Sequence, residues 1–358
     1  MSSSSAFLQA NEYIEMRERE MRRRWQNLPD ELILKILSYL EVKDLISCGQ
    51  LSNRTRNISQ DRSLWVTANL EKKFVRTELL EMILGKGCKI LNLSNSTIVG
   101  HLRRNMISQL RVLDLSQSAW GFPVRPGGLG RPAQVYNEEN KFKIEDLLSS
   151  CCFLQNLKME GLLITSKMAV SICKNGTTLQ VLNLNHSFVE DTFKRLHYHV
   201  PNSVFGSIIK CCQELKELDL NYVNATNIAN ENVGLSDEDL EYLAENISSN
   251  VEKLNLINQD VFDENIKIML SRCNKIKVLT LEALFLSDDS LKTIRQNLNL
   301  TLEELTLGYS HCNPAQQFTS FLDLKSMPRL KILNLYNGTD EEIQNLRQHL
   351  PHLMIRML

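Results

Sequence analysis

The sequence predicts an α/β protein in which three short helices near the N-terminus precede a solenoid of about nine to ten strand–helix units. A parallel sheet is expected on the concave face of the solenoid and helices on its convex face. Two patterns make this prediction: an apolar hexad that returns from residue 88 onward, and a helical apolar stripe between residues 28 and 51. A third observation, the near-even charge, narrows the function.

The hexad is L-x-x-L-x-L or a close apolar variant, as in Leu110-x-x-Leu113-x-Leu115 and Leu215-x-x-Leu218-x-Leu220. Its last apolar positions are Leu93, Leu115, Met159, Leu184, Leu220, Leu256, Leu281, Leu307 and Leu335, separated by 22, 44, 25, 36, 36, 25, 26 and 28 residues. Five of the eight steps fall within the leucine-rich-repeat period of about 20–29 residues, and the other three are that unit plus an insertion. Each unit reads as a short strand followed by a helix, such as Ile266–Leu270. One unit cannot bury its own leucines, whereas stacked neighbours can. His352-Leu353-Met354-Ile355 is expected to add a final partial strand.

Alternation along a strand sends the leucines inward and the residues between them outward. Outward positions three and one before, and one after, each last apolar residue are candidate target-binding sites on the concave face. Among them are Asp114, Glu160, Asn183, Glu217, Asp219, Asn255, Glu282, Glu304 and Tyr336. The charged members are Asp114, Glu160, Glu217, Asp219, Glu282 and Glu304 against Lys158 and Lys253, an acidic excess that favours a polar or basic segment. Ordinary solvation of exposed strand residues accounts for the same pattern.

The N-terminal stripe starts at Leu28-Pro29-Asp30-Glu31, a helix start in which proline suits the first turn and the acids oppose the helix dipole. Leu32, Ile33, Ile36, Leu37 and Leu40 then follow a helical period, and Val42, Leu45, Ile46 and Leu51 make a second stripe. Helices this small cannot bury both faces alone, so the leftover apolar surface invites a partner. The domain plan is 1–24, a Ser-rich and charged extension; 25–70, the helical module; 71–87, a linker helix; and 88–358, the repeats. In the extension Arg22-Arg23-Arg24 reads as a solvated helical face or as a nuclear address.

The chain carries 41 Lys and Arg against 42 Asp and Glu, net −1. That lacks the electrostatic footprint of nucleic-acid binding, so no nucleic-acid partner is expected. No segment has the unbroken apolar length of a membrane span, and none at the N-terminus reads as a secretory signal. Nine cysteines in no framework spacing fit free thiols in a reducing compartment. Cys151, Cys212 and Cys273 each stand eight residues before the last apolar position of a repeat, so the repeat itself explains them as packing residues.

His197-Tyr198-His199 has no acidic or sulfur partner at ligand spacing. No phosphate loop, nucleophile elbow or zinc-protease motif occurs, so neither catalysis nor a cofactor is expected. The insertion at 117–140 holds Trp120, Phe122 and Arg125 among glycines and prolines. It reads as a rim loop outside the solenoid, either a spacer or an interface anchor.

Residues Leu28 to Leu40, with Asp44-Leu45 and Ser63-Leu64-Trp65, resemble the F-box, the docking motif of substrate receptors in Skp–cullin–F-box (SCF) ubiquitin ligases. Followed by leucine-rich repeats, this order resembles the F-box/leucine-rich-repeat family over nearly the whole chain. The resemblance implies a non-catalytic substrate-recognition subunit in the nucleus, the cytoplasm or both. It would bridge a Skp-family adaptor, and through it a cullin and a RING-box protein, to a protein target destined for ubiquitination and degradation. Leu28, Pro29, Leu32, Ile36, Leu40, Leu45 and Trp65 would bury against the adaptor or hold the helices that do.

The resemblance extends to a branch that works with a Cks-type accessory subunit on phosphorylated cell-cycle regulators. Both enter as implied partners, although that branch's capturing tail has no counterpart before the sequence stops at Leu358. Thr55 stands where the family usually has an aromatic and is expected to loosen the third helix. The other class of function the pattern allows is a non-ligase repeat scaffold or inhibitor protein.

Overall fold

A computed structural model describes residues 16–17, 20, 25–102, 107–120, 143–190, 204–226, 232–233, 235–257, 259, 261–283, 287–309, 321–336 and 340–358. They form two compact units, Met1–Asn69 and Leu70–Leu358.

In the first unit α1 runs Asp30–Leu37, α2 Val42–Leu51 and α3 Asn53–Ser59, followed by a 3₁₀ turn at Arg62–Trp65. Pro29 stands at the N-cap of α1 with no side-chain cap, so Asp30 and Glu31 in the first turn supply the favourable charge. α1 buries Ile33 and Leu37, and α2 buries Val42 and Leu45. Gly49 permits a close approach, because a Cβ there would lie 2.9 Å from Ser59 Oγ. Contrary to the sequence expectation, Thr55 does not loosen α3. It is buried and completes a capping box with Ser52, each side chain accepting from the other's backbone N–H at 3.1 Å.

The second unit repeats one theme. Strands Ile90–Asn92, Val112–Asp114, Asn156–Lys158, Val181–Asn183, Glu217–Asp219, Lys253–Leu256, Val278–Ala283, Glu304–Tyr309, Ile332–Tyr336 and Met354–Met357 pair in parallel, each with the next in the chain. Parallel neighbours need a return crossing, and helices supply most of them. Ser166–Cys173, Val204–Cys211, Asp237–Asn246, Asp263–Arg272 and Asp288–Leu298 are five such helices.

The register puts Leu182, Leu218, Leu254, Leu279, Leu305 and Leu333 side by side, all buried. Burial of each such side chain is worth roughly 1.5–3 kcal/mol. The expected final strand is present as Met354–Met357. Residues 71–87 contain a strand, Phe74–Arg76, as well as the helix Thr77–Gly85.

A second column of strands goes beyond the one strand per unit that the sequence suggested. Phe74–Arg76, Thr97–Val99 and Ala119–Trp120 pair in parallel, as do Leu163–Ile164, Phe188–Glu190 and Asn224–Thr226. Each follows a residue in the left-handed region, two places after the last apolar residue of the preceding strand. Lys72, Asn95, Gln117, His186 and Tyr222 have φ of 56°, 55°, 56°, 54° and 54°, and Gly161 has 72°. The turned chain leaves carbonyls at the strand ends, and small polar side chains satisfy them. Ser96 Oγ donates to Leu70 O at 2.5 Å and Ser187 Oγ to Met159 O at 2.7 Å. Buried Gln259 Nε2 donates to Leu220 O at 3.2 Å and Val223 O at 2.9 Å.

This column corrects the insertion boundary. Gln117–Trp120 belong to the fold, because Ala119 and Trp120 pair with Thr97 and Ile98. Phe122, Arg125 and the rest of the expected rim loop lie outside the described residues, as do His197-Tyr198-His199 and Arg22-Arg23-Arg24. The 36-residue step from Leu220 to Leu256 is explained in part by Asn232–Val233, which folds back antiparallel on Asn224–Thr226.

Candidate functional site

Two surfaces have the makings of sites, and they are opposite in chemistry. In the first unit α1 carries more apolar side chains than its own core uses. Ile33 and Leu37 point inward, while Leu32 is 50% exposed, Ile36 43% and Tyr39, just past the helix, 77%. Leu32 and Ile36 are one helical turn apart and so share a face. Pro29 is exposed, and Leu28 and Leu40 are half-buried.

Leu45 and Trp65 are buried and face the interior of the module. Of the seven sequence candidates, these two therefore support the surface without forming it. Trp65 is held by its indole N–H, which donates to Ser59 O at 2.8 Å. The 3₁₀ turn that carries Trp65 is capped by Asp61, whose Oδ1 accepts from Ser63 Oγ at 2.6 Å and Ser63 N at 2.8 Å. Those bonds, the hydroxyl's first, hold the Asp61 carboxyl below its ordinary pKa.

Sequence reasoning missed Arg54. Its guanidinium donates to Gln26 O at 2.7 Å, Leu28 O at 2.5 Å and Asp30 Oδ1 at 2.8 Å. One side chain of α3 thereby fixes the segment that starts α1 and its exposed stripe. A planar fork of donors suits this task, and lysine would not replace it. No local pattern signals it, since donor and acceptors are separated by 24 to 28 residues.

In the second unit the open sheet face is polar. One residue before each last apolar position, the paired register aligns Asn92, Asp114, Lys158, Asn183, Asp219, Asn255, Thr280, Thr306 and Asn334. Several of these side chains are already committed to the fold. Asp114 Oδ1 accepts from Ser116 N at 2.9 Å, Asn183 Oδ1 from Asn185 N at 2.8 Å and Asp219 Oδ1 from Asn221 N at 3.2 Å. These are Asx turns that end the strand. The candidates Asp114, Asn183 and Asp219 therefore also serve the strand ends.

Glu217 is exposed, and Glu160, Glu304 and Tyr336 are half-buried, as the alternation predicts. Glu282 lies in strand Val278–Ala283, but its side chain is outside the described set, as is that of Trp120. Asn255 is buried more deeply than a solvated strand residue should be, along with Thr280, Thr306 and Asn334.

A further ladder sits at the leading ends of the strands. Lys216, Glu252, Lys277, Glu303 and Lys331 precede successive strands and alternate in sign. Their backbones are bonded in sequence, and Lys277 Nζ lies 2.5 Å from Glu252 and Lys331 Nζ 2.7 Å from Glu303. The hydrogen bond from Lys277 holds Glu252 below the ordinary glutamate value, and that from Lys331 does the same for Glu303. Such exposed pairs add little stability each, but they mark a fixed register.

Cys151, Cys212 and Cys273 are buried at equivalent places in their repeats. Desolvation raises all three thiols, Cys212 to about 12 and Cys273 to about 11. Thiols raised this far carry almost no thiolate at neutral pH and are poor nucleophiles. Among the described residues no three His, Cys, Asp or Glu side chains are grouped to hold a metal ion.

By fold the chain is a helical module joined to a repetitive parallel α/β unit. Residues 25–71 match the F-box-like family model, so the first unit carries an F-box-like domain. F-box domains in general bind Skp-type adaptors. The matched residues contain the Leu32–Ile36–Tyr39 stripe and the buried residues behind it.

Proposed function

We propose that the chain is the substrate-recognition subunit of an SCF-type ubiquitin ligase. The observation that carries this reading is the uncovered Leu32–Ile36–Tyr39 stripe inside the F-box-like domain. An apolar helix face left in water by a module with its own core is what a docking partner would cover. Leu32 and Ile36, flanked by Pro29, would seat the Skp-family adaptor, which brings the cullin and the RING-box protein. The stacked strand–helix units, read as leucine-rich repeats, would hold a protein target. The subunit contributes proximity and effective concentration, and ubiquitin transfer is performed elsewhere in the assembly.

Beyond the F-box-like domain, the sequence also resembles the S-phase kinase-associated F-box protein, an F-box/leucine-rich-repeat protein. Trp25, Ser63-Leu64-Trp65, Leu93-Ser94-Asn95-Ser96 and Leu350-Pro351-His352-Leu353 carry that similarity. It suggests cell-cycle regulators as targets, a Cks-type accessory subunit, and work in the nucleus or cytoplasm.

Co-purification of the full chain with a Skp-family adaptor tests the reading. Leu32→Ala with Ile36→Ala should weaken the complex by at least tenfold, since buried interface anchors cost about 2 kcal/mol or more when truncated. The fold should be unchanged, because neither side chain is in the core. Failure of the full chain to co-purify with the adaptor would remove the reading and favour a non-ligase scaffold, and undiminished binding by the double variant would remove the Leu32–Ile36 stripe as its docking face.

A further inference from the structure

Several acceptors along the open sheet face lack a donor. Among the described residues, the buried side-chain polar atoms without a hydrogen-bonding partner are Asn156 Oδ1, Asn185 Oδ1, Asn255 Oδ1, Asn334 Oδ1 and Asp288 Oδ1. The first four are carboxamide oxygens, three at outward strand positions and that of Asn185 in the turn after strand Val181–Asn183. All five are acceptors. Buried polar groups ordinarily find partners, so orphans that are all of one kind need an explanation.

The orientation of two of these amides is fixed by what they touch. Asn255 Nδ2 donates to Asp219 Oδ2 at 3.2 Å, and Asn334 Nδ2 donates to Glu304 Oε1 at 2.8 Å and Thr306 Oγ1 at 3.0 Å. Turning either amide over would set its oxygen against a carboxylate. The oxygens, not the NH₂ groups, are therefore left over. Asn255 is only 8% exposed and Asn334 4%, so neither amide is freely solvated.

Charge points the same way. Asp219 and Glu304 stand beside these amides, and exposed Glu217 lies two residues before Asp219 on the same strand face. By strand pairing the nearest cations are Lys253, in register with Glu217, and exposed Arg356, in register with Asn334.

We propose that this face receives an extended segment of a partner protein through its arginine side chains, one at the Asp219–Asn255 pair and one at the Glu304–Asn334 pair. The proposal rests on the target-binding role given to the repeats above, and it names the chemistry of the target. A guanidinium brings five donors in a planar fork and no acceptor, and it is more weakly hydrated than an ammonium. It matches a carboxylate beside an unpartnered amide oxygen. An acidic or phosphorylated stretch would add acceptors to acceptors at these two places.

Spacing follows from the sheet. From the Asn255 strand to the Asn334 strand there are three strand steps, roughly 14 Å at about 4.8 Å each. An extended chain crossing the strands covers that in about four residues, and residues four apart face the same side.

The test is fluorescence anisotropy of a labelled eleven-residue Gly/Ser peptide bearing two arginines four residues apart, titrated with the full chain, alone and bound to adaptor. The control peptide replaces both arginines with citrulline, which keeps the shape and removes the charge. The arginine peptide should bind at least tenfold more tightly, and Glu217→Lys should weaken it at least fivefold while adaptor binding is retained. Asn255→Leu should reduce the preference for arginine over lysine at the same positions, with thermal melting used to check that the variant folds.

Equal binding of the arginine and citrulline peptides, or indifference to Glu217→Lys, would overturn the proposal. Loss of adaptor binding by the wild-type chain would instead refute the ligase reading, and the titration on the chain alone would still decide this one.

Discussion

The two units of this protein handle apolar surface in opposite ways. The repeats put it inside: Leu218 and Leu279 are shut from water by neighbouring turns, and the residues between the strand leucines are polar. The helical module keeps part of it outside, with Leu32, Ile36 and Tyr39 in solvent although Ile33 and Leu37 already complete the inner face. Both carry helical apolar stripes, so hydrophobic content does not separate them. What separates them is whether the next element in the chain covers the stripe. A repeat is followed by another repeat, whereas a three-helix module has too few elements to cover α1 on both sides.

The sharpest way to break this comparison is to remove a leucine from each side of it. Leu218→Ala should cost about 2–5 kcal/mol in a denaturant melt, because the cavity lies in a packed interior. If its cost were as small as that of Leu32→Ala, the repeats would not be the self-sufficient unit described here.

A much smaller effect sharpens the picture at the strand ends. Glu252 and Glu303 have folded pKa values below the ordinary 4.5, so their contribution to stability is present above that value and is lost as pH falls through the lowered one. Lys277→Ala with Lys331→Ala should remove that contribution. Melting temperatures of wild type and double variant should then differ slightly at neutral pH and converge in acid. A constant difference across the whole range would show that the ladder has no electrostatic role.

Much of this was legible in the sequence, for physical reasons. The strand leucines follow a local period, so Leu182, Leu218 and Leu254 announce themselves without knowledge of the fold. The stripe on α1 is equally local, and its division into Leu32 and Ile36 outside and Ile33 and Leu37 inside follows helical geometry. The second strand column was hidden because its left-handed turn residues, among them Asn95, Gln117, His186 and Tyr222, share a backbone angle and no side-chain chemistry.

The Lys216–Lys331 ladder and the Asp219–Asn255 bond depend on register across steps of 25 to 36 residues, which composition does not reveal. Arg54 was missed for the same reason. The outward candidates were read only as surface, yet Asp114, Asn183 and Asp219 also close strand ends, and substituting them mixes fold with binding.

Hydrogen–deuterium exchange of the full chain, with and without a Skp-family adaptor, tests most directly the claim that one unit is open for a partner and the other closed on itself. Adaptor should slow exchange through residues 28–40 and leave the strands Glu217–Asp219 and Val278–Ala283 as they were. Unchanged exchange at 28–40 in a saturated mixture, or protection confined to the repeat strands, would contradict the account.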